Sequence, residues 1–249
     1  HDLALVGGCL HANAVGQDAV VRLDAAGGHE RVWWPKVLDG RDDAFAANHL
    51  QLNSIAAGRT LATSYFTASA AAPGRRRPGQ RDFPVDGRGV VFSGRTRRPV
   101  ASGLTRPHSA RLSPSDGRLW VANSGYGELG VVDVEGGGYE PVVRLPGWTR
   151  GLSLHGDLAI VGTSRVLPRF HRYAPGLDPD DCVCAVHLVD LQAGAVRASL
   201  RWPDGDQLFA IEAVPAGFTA GLASGPGRGA ARQRALFYDF EPTRGKGPQ

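Results

Sequence analysis

Methionine is absent from all 249 residues, and the chain opens on His1. The sequence is therefore expected to lack its natural start, so a missing leader carries no information. No stretch of about 18 apolar residues occurs, which excludes a transmembrane helix. Cysteine is scarce. Cys9, Cys182 and Cys184 make an odd number with no disulfide framework, which agrees with a cytoplasmic location. Cys182 and Cys184 share one face of a strand, but no second pair exists to complete a zinc site. They read as buried, inert thiols. The motifs of several large enzyme classes are also missing. There is no GxSxG elbow, Walker loop, HExxH helix or GxGxxG turn opening a helix.

Charge of one sign is only slightly in excess. The net charge is +4, and much of it sits in Arg75-Arg76-Arg77 and Arg81. That run lies in a Pro/Gly-rich stretch and reads first as a solvated loop. No aromatic residue interleaves with it, which disfavours the stacking modes of nucleic-acid binding. An anionic small molecule is the better partner for it.

Glycine and proline, in contrast, are abundant, at 34 and 17 residues. They punctuate short alternating runs. His108–Ser113 meets the turn Pro114-Ser115-Asp116-Gly117, and Arg118–Asn123 returns. Leu129–Val134 and Tyr139–Leu145 follow, each stopped by Gly or Pro. Alternation bounded by turn residues marks antiparallel strands, and four of them in about 40 residues is one propeller blade. The same hairpin recurs at His1, Asn53, Arg150 and Phe209. Third strands are expected at Ala19–Leu23, Val90–Ser93, Cys184–Leu191 and Ala235–Phe240. The fold expected is an all-β propeller of four-stranded antiparallel blades. About five blades fall in this chain, as part of a larger propeller. One domain spans residues 1–242, with 243–249 as a frayed tail. Leu152, Leu154, Ile160, Val131 and Val189 should be buried between blades, and Trp33 or Trp34 should pack there too.

Blade topology brings the start of each first strand and the end of each second strand to one face. That face is expected to carry a polar ring. Asn53, Ser109, Asn123, Ser124 and Arg150 are its ligand-binding candidates, with Asp2, Asn13, Thr63, Ser64, Thr163, Ser164 and Ser224 beside them. Singly, such residues cap strand ends and bond turns anywhere. His1, His49 and His108 are candidates to hold a divalent metal ion, although a lone histidine is more often structural. Glu212 is a further candidate carboxylate. Three long insertions, Thr67–Arg88, Arg165–Asp181 and Ser224–Arg232, follow second strands and should emerge on this same face. Phe170, His171 and Tyr173 would then cover the mouth, and Arg75–Arg77 would bias it toward anions.

Pro107-His108-Ser109, Asn123 to Leu129, Pro146 to Leu152 and Val161 to Ser164, with His1-Asp2 and Leu52-Asn53, form a further pattern. In it the chain resembles a family of uncharacterised bacterial proteins described only as conserved hypothetical proteins with a domain of unknown function. The resemblance spans most of the chain and is strongest from Gly103 to Ser164. It departs at Gln51, where the family has His, and at Trp148, where it has Phe. The first departure weakens the middle histidine of any metal set. Family members carry further sequence before the His-Asp motif, which implies more blades. The resemblance implies a fold and shared residues, not an activity.

Two functions remain. The first is a small-molecule site in the axial mouth, metal-assisted as in lactonase-like hydrolases or lyases. The second is a non-catalytic propeller that binds a protein or peptide on the same face. The first needs a convergent polar cluster; the second needs an exposed apolar patch.

Overall fold

The computed structural model describes residues 2–214. Four antiparallel four-stranded sheets occupy them in chain order. Sheet 1 holds β1 (Leu3–Val6), β2 (Cys9–Ala14), β3 (Ala19–Leu23) and β4 (His29–Trp33). Sheet 2 holds β5 (Leu52–Ala56), β6 (Tyr65–Ala68), β7 (Gly89–Ser93) and β8 (Pro99–Leu104). Sheet 3 holds β9 (Pro107–Leu112), β10 (Leu119–Asn123), β11 (Glu128–Val132) and β12 (Tyr139–Arg144). Sheet 4 holds β13 (Trp148–His155), β14 (Leu158–Ser164), β15 (Ala185–Asp190) and β16 (Ala195–Arg201). Within each sheet every strand pairs with its neighbour in sequence, through turns of two to eight residues except at β6–β7 and β14–β15, where the insertions lie.

Period-two alternation buries both faces of the inner sheets. In sheet 3, Trp120 and Leu129 pack toward sheet 4, against Leu152, Ala159, Val161 and Val189. Their strand neighbours Leu119, Val121 and Val132 pack the other way, against Val91, Ala101 and Leu104 of sheet 2. Sheet 2 in turn presents Phe66, Val90 and Phe92 to Val6, Val20 and Trp33 of sheet 1. Trp33 stacks on Phe66 at 3.9 Å between ring centres, and its indole donates to the Gly94 carbonyl at 3.0 Å. The first strands lie side by side, β5 against β9 and β9 against β13. Sheets stacked face to face with their first strands innermost are the blades of a β-propeller.

Four blades are present among the described residues. The compact unit that carries them is His1–Glu212. The expected fifth hairpin starts at Phe209, and 209–214 holds no strand. The rest of that repeat, its Ala235–Phe240 strand, Ser224, the Ser224–Arg232 insertion and the 243–249 tail lie outside the described residues. So does His1. No helix among the described residues is long and apolar enough to cross a membrane.

Core expectations hold at Leu152 and Val189, which are fully buried. Val131, Leu154 and Ile160 are only half-buried. Ile160 alternates with Ala159 and Val161, so it points to the face of sheet 4 that no described sheet covers. Cys182 and Cys184 are buried, as expected, while Cys9 is exposed.

Candidate functional site

The mouth is built where the inner strands begin, and three of the four, β5, β9 and β13, begin with an irregularity. Register shifts fall between Leu52 and Ser54 in β5, opposite Trp120–Ala122 in β9, and between Thr149 and Leu152 in β13. Asn53, Ser109 and Arg150 stand at these bulges, which bend a strand and re-aim its side chains. Left-handed backbone accompanies them, at Ser109 (φ 52°) and Gly151 (φ 82°). The residues just before β5 and β9, Gln51 (φ 58°) and Arg106 (φ 53°), are left-handed too. For a non-glycine residue this costs about 1–2 kcal/mol, so surrounding bonds must hold it. Asp18 does so at Gln51. Its carboxylate accepts the backbone N–H groups of His49, Leu50 and Gln51, the last two at 2.8 Å.

Of the five residues expected to bind ligand, three share a space. Asn53, Ser109 and Arg150 line a narrow axial crevice with Asp2 and His108. Ser109 Oγ accepts the Gly151 N–H at 2.9 Å, tying β9 to β13. Asp2 accepts the Ile55 N–H at 2.9 Å and Arg111 at 3.1 Å, which pins β1 across β5 and β9. Asn123 and Ser124 line neither this crevice nor the cavity beside it, and their side chains are engaged in bonds within the fold. Asn123 accepts the Thr105 N–H at 2.7 Å and donates to Glu128 at 2.9 Å. Ser124 donates to the Thr149 carbonyl at 2.7 Å.

Thr63 and Ser64 are not at the mouth. The hairpin between β5 and β6 is eight residues long, and Ser64 closes it by accepting the Gly58 N–H. Ser69, just past β6, takes the mouth position and receives the Asn53 amide at 3.1 Å.

The two described histidines of the metal set, His49 and His108, do not share a space. His49 lines a separate groove with Asp43, Arg75 and Arg77, and its Nε2 faces the Asp43 carbonyl at 3.0 Å. His108 is buried at the mouth, and its Nδ1 donates to the Arg106 carbonyl at 2.8 Å. Burial, then the charge of Arg150, holds its pKa well below the usual imidazole value, so it is neutral at pH 7. Glu212 is exposed and lines neither cavity. Among the described residues no three His, Cys, Asp or Glu side chains are grouped to hold a metal.

A second cavity opens beside the crevice and has a volume of about 280 Å³. Arg106, Arg150 and Arg169 line it with Trp148, Phe170, Tyr173 and Phe209, and no acidic side chain does. Each arginine lies over a ring: Arg106 over Tyr173 at 4.0 Å, Arg150 over Phe209 at 4.7 Å, Arg169 over Phe170 at 4.7 Å. Such contacts fix a guanidinium without neutralising it. The mouth's positive charge thus comes from these residues, and the Arg75–Arg77 run lines the other groove.

Arg106 is the residue the sequence reading missed. It is 3% exposed, and Nη1 donates to the Gln51 side chain and, at 3.3 Å, to Ser69 Oγ. Its Nε and Nη2 make no hydrogen bond of normal geometry, although the Tyr173 hydroxyl lies near enough to favour the charged form. Burial lowers its pKa to about 10, so it remains charged at pH 7. The signal was present in the repeat, because Gln51, Arg106 and Gly147 each immediately precede a first strand.

Two of the three insertions do emerge on this face. Residues 165–181 supply Arg169, Phe170 and Tyr173 to the cavity. Their Arg172 donates to the carbonyls of Gly79 (2.9 Å) and Gln80 (3.1 Å), which belong to the other insertion. That insertion is anchored in turn by Phe83 and Val85 in the core between sheets 1 and 2. His171 is exposed and lines neither cavity.

Three of the solved structures to which the chain is similar show the level of likeness. The computationally designed Ika8 protein is 11% identical, with 86% of this chain and 52% of that chain covered and a TM-score of 0.47. Virginiamycin B lyase from Staphylococcus aureus is 9% identical, with 82% and 56% covered and a TM-score of 0.44. Kuenenia stuttgartiensis hydrazine synthase is 13% identical, with 81% and 48% covered and a TM-score of 0.46. The chain thus spans about half the length of these structures, and likeness at this level says nothing of activity. No curated protein matches it. A family model described as a domain of unknown function (DUF4915) matches residues 1–221, and the chain belongs to that family.

Proposed function

We propose that this propeller binds a small anionic molecule in the cavity at its mouth. One observation carries the reading. Among the residues that line the cavity, the buried polar side-chain atoms without a hydrogen bond are all donors: Nε and Nη2 of Arg106 and Nε1 of Trp148. A buried donor left unpaired costs about 1–3 kcal/mol, and more when charged. A bound acceptor carrying negative charge would recover that cost at Arg106, whose neighbours include no carboxylate. The volume, about 280 Å³, is at the small end of ligand cavities, which run roughly 300–1,000 Å³. A protein partner is less suited to this mouth, because among the described residues Phe209 is the one strongly exposed large apolar side chain that lines it, while Leu3 and Leu5 lie apart on sheet 1.

Thermal unfolding of the full chain in a low-salt buffer tests the reading, with acetate, benzoate, sulfate and inorganic phosphate added singly. At least one anion should raise Tm in proportion to the logarithm of its concentration, and Arg106→Gln should abolish the rise. No shift with any anion would sink the proposal. A second reading, in which the bound molecule reacts, rests on His108. Its neutral imidazole lines the same cavity and has the form a general base needs. Turnover of a bound anion that disappears in His108→Gln would establish it.

A further inference from the structure

We propose, building on the anion-binding reading, that the ligand is a carboxylate borne on a ring. Arg106 fixes the first half. Gln51 and Ser69 hold Nη1, and the two unpartnered nitrogens are Nε and Nη2. In a planar guanidinium the Nε–H and the outward Nη2–H point the same way, about as far apart as the two oxygens of a carboxylate. This edge is the bidentate fork that makes arginine, and not lysine, the reader of planar two-oxygen anions. The unpartnered edge is therefore shaped for a planar carboxylate, not merely charged.

The aromatic cluster fixes the second half. Trp148 meets Phe170 and Tyr173 edge-on, both at 6.2 Å between ring centres. Phe170 and Tyr173 lie 6.0 Å apart, tilted by only 31°. These two rings form one continuous wall beside Arg106, whose guanidinium already rests on Tyr173. Arg172 also lies over Tyr173 and Arg169 over Phe170, so a flat aromatic ring or the apolar face of a sugar ring would pack on the edges and faces those guanidinium groups leave open. The unpartnered Trp148 Nε1 adds a donor for a substituent on that ring. An aromatic acid and a sugar acid both satisfy the arrangement, and ring plus carboxylate is what they share.

Isothermal titration of the full chain with five probes tests the inference: benzoate, glucuronate, acetate, inorganic phosphate and benzamide. Benzoate or glucuronate should bind at least about 10-fold more tightly than acetate, and benzamide should not bind. Whichever ring acid is tighter identifies the ring. Arg106→Lys keeps the charge but removes the fork. It should weaken the ring acid by about 10- to 100-fold, the range expected for losing a charge-assisted hydrogen bond. Phe170→Ala, in the half-buried surface turn, leaves the fold intact. It should weaken the ring acid by about 10-fold and leave acetate unchanged. Phosphate or acetate binding as tightly as the ring acids would overturn the inference while leaving the anion site standing. An undiminished affinity in Arg106→Lys, or in Phe170→Ala, would overturn it in the same way. No binding of any probe would remove both readings together.

Discussion

His108 folds without its proton, and that has a thermodynamic consequence. In the unfolded chain the imidazole titrates near 6.5. In the fold, burial and the adjacent Arg150 hold it well below that value. The folded-state pKa is depressed, so its contribution is fully present above pH 6.5 and declines as pH falls toward the folded pKa. His187 acts in the same direction, through burial and Arg201. Stability measured by urea unfolding should therefore fall between pH 6.5 and 5, and less so in His108→Gln. Identical slopes in the two proteins would show that His108 is not held neutral. At this scale the sequence was legible where a residue's role is its position in the repeat. Asn53, Ser109 and Arg150 came together because bulges recur at the same place in β5, β9 and β13. Arg106's place before a first strand was legible in the repeat, but its lack of an acidic neighbour was not, being a property of packing that no spacing displays. His49 went elsewhere for a related reason. The N–H groups of its segment are claimed by Asp18, 31 residues earlier.

Elements were legible wherever Gly or Pro set the turn. β3 was expected at Ala19–Leu23 and lies there. The expectation slipped at Thr63 and Ser64, because Leu61–Thr63 forms a short helical turn with its own capping box on Thr60. That local bonding lengthens the hairpin and moves the strand end on to Ala68. The two insertions were placed on the correct face by connectivity alone, but their mutual contact was invisible in sequence. Arg172 supplies that contact from an exposed position, where a substitution usually changes stability by no more than about 0.5 kcal/mol. Arg172→Ala should accordingly leave Tm nearly unchanged. It should raise amide hydrogen exchange across 166–181 and around Gly79-Gln80, since the two loops then open independently. Unchanged exchange in both loops would mean that Arg172 does not join them.

Across the whole molecule, stability should follow the stacking of the blades. Val121 is fully buried, and it lies in the layer between sheets 2 and 3 with Leu119, Val132 and Leu104. Both of its neighbouring sheets are themselves clamped, sheet 2 by sheet 1 and sheet 3 by sheet 4. An aspartate there has no room to reach water and no cation to pair with. A buried unpaired charge is costly enough to consume much of a domain's 5–15 kcal/mol. Leu5 is 66% exposed. It shares with Leu3 and Leu10 the face of sheet 1 that no described sheet covers, so a charge at Leu5 stays solvated. Val121→Asp should therefore fail to give a cooperative melt, while Leu5→Asp should melt within a few degrees of the parent. The milder Leu152→Ala, between sheets 3 and 4, should cost about 2–5 kcal/mol. Chemical denaturation of the three variants side by side separates the cases. If Leu5→Asp proved as damaging as Val121→Asp, the exposed face of sheet 1 would be an internal layer in solution, and the blade count within this chain would have to rise.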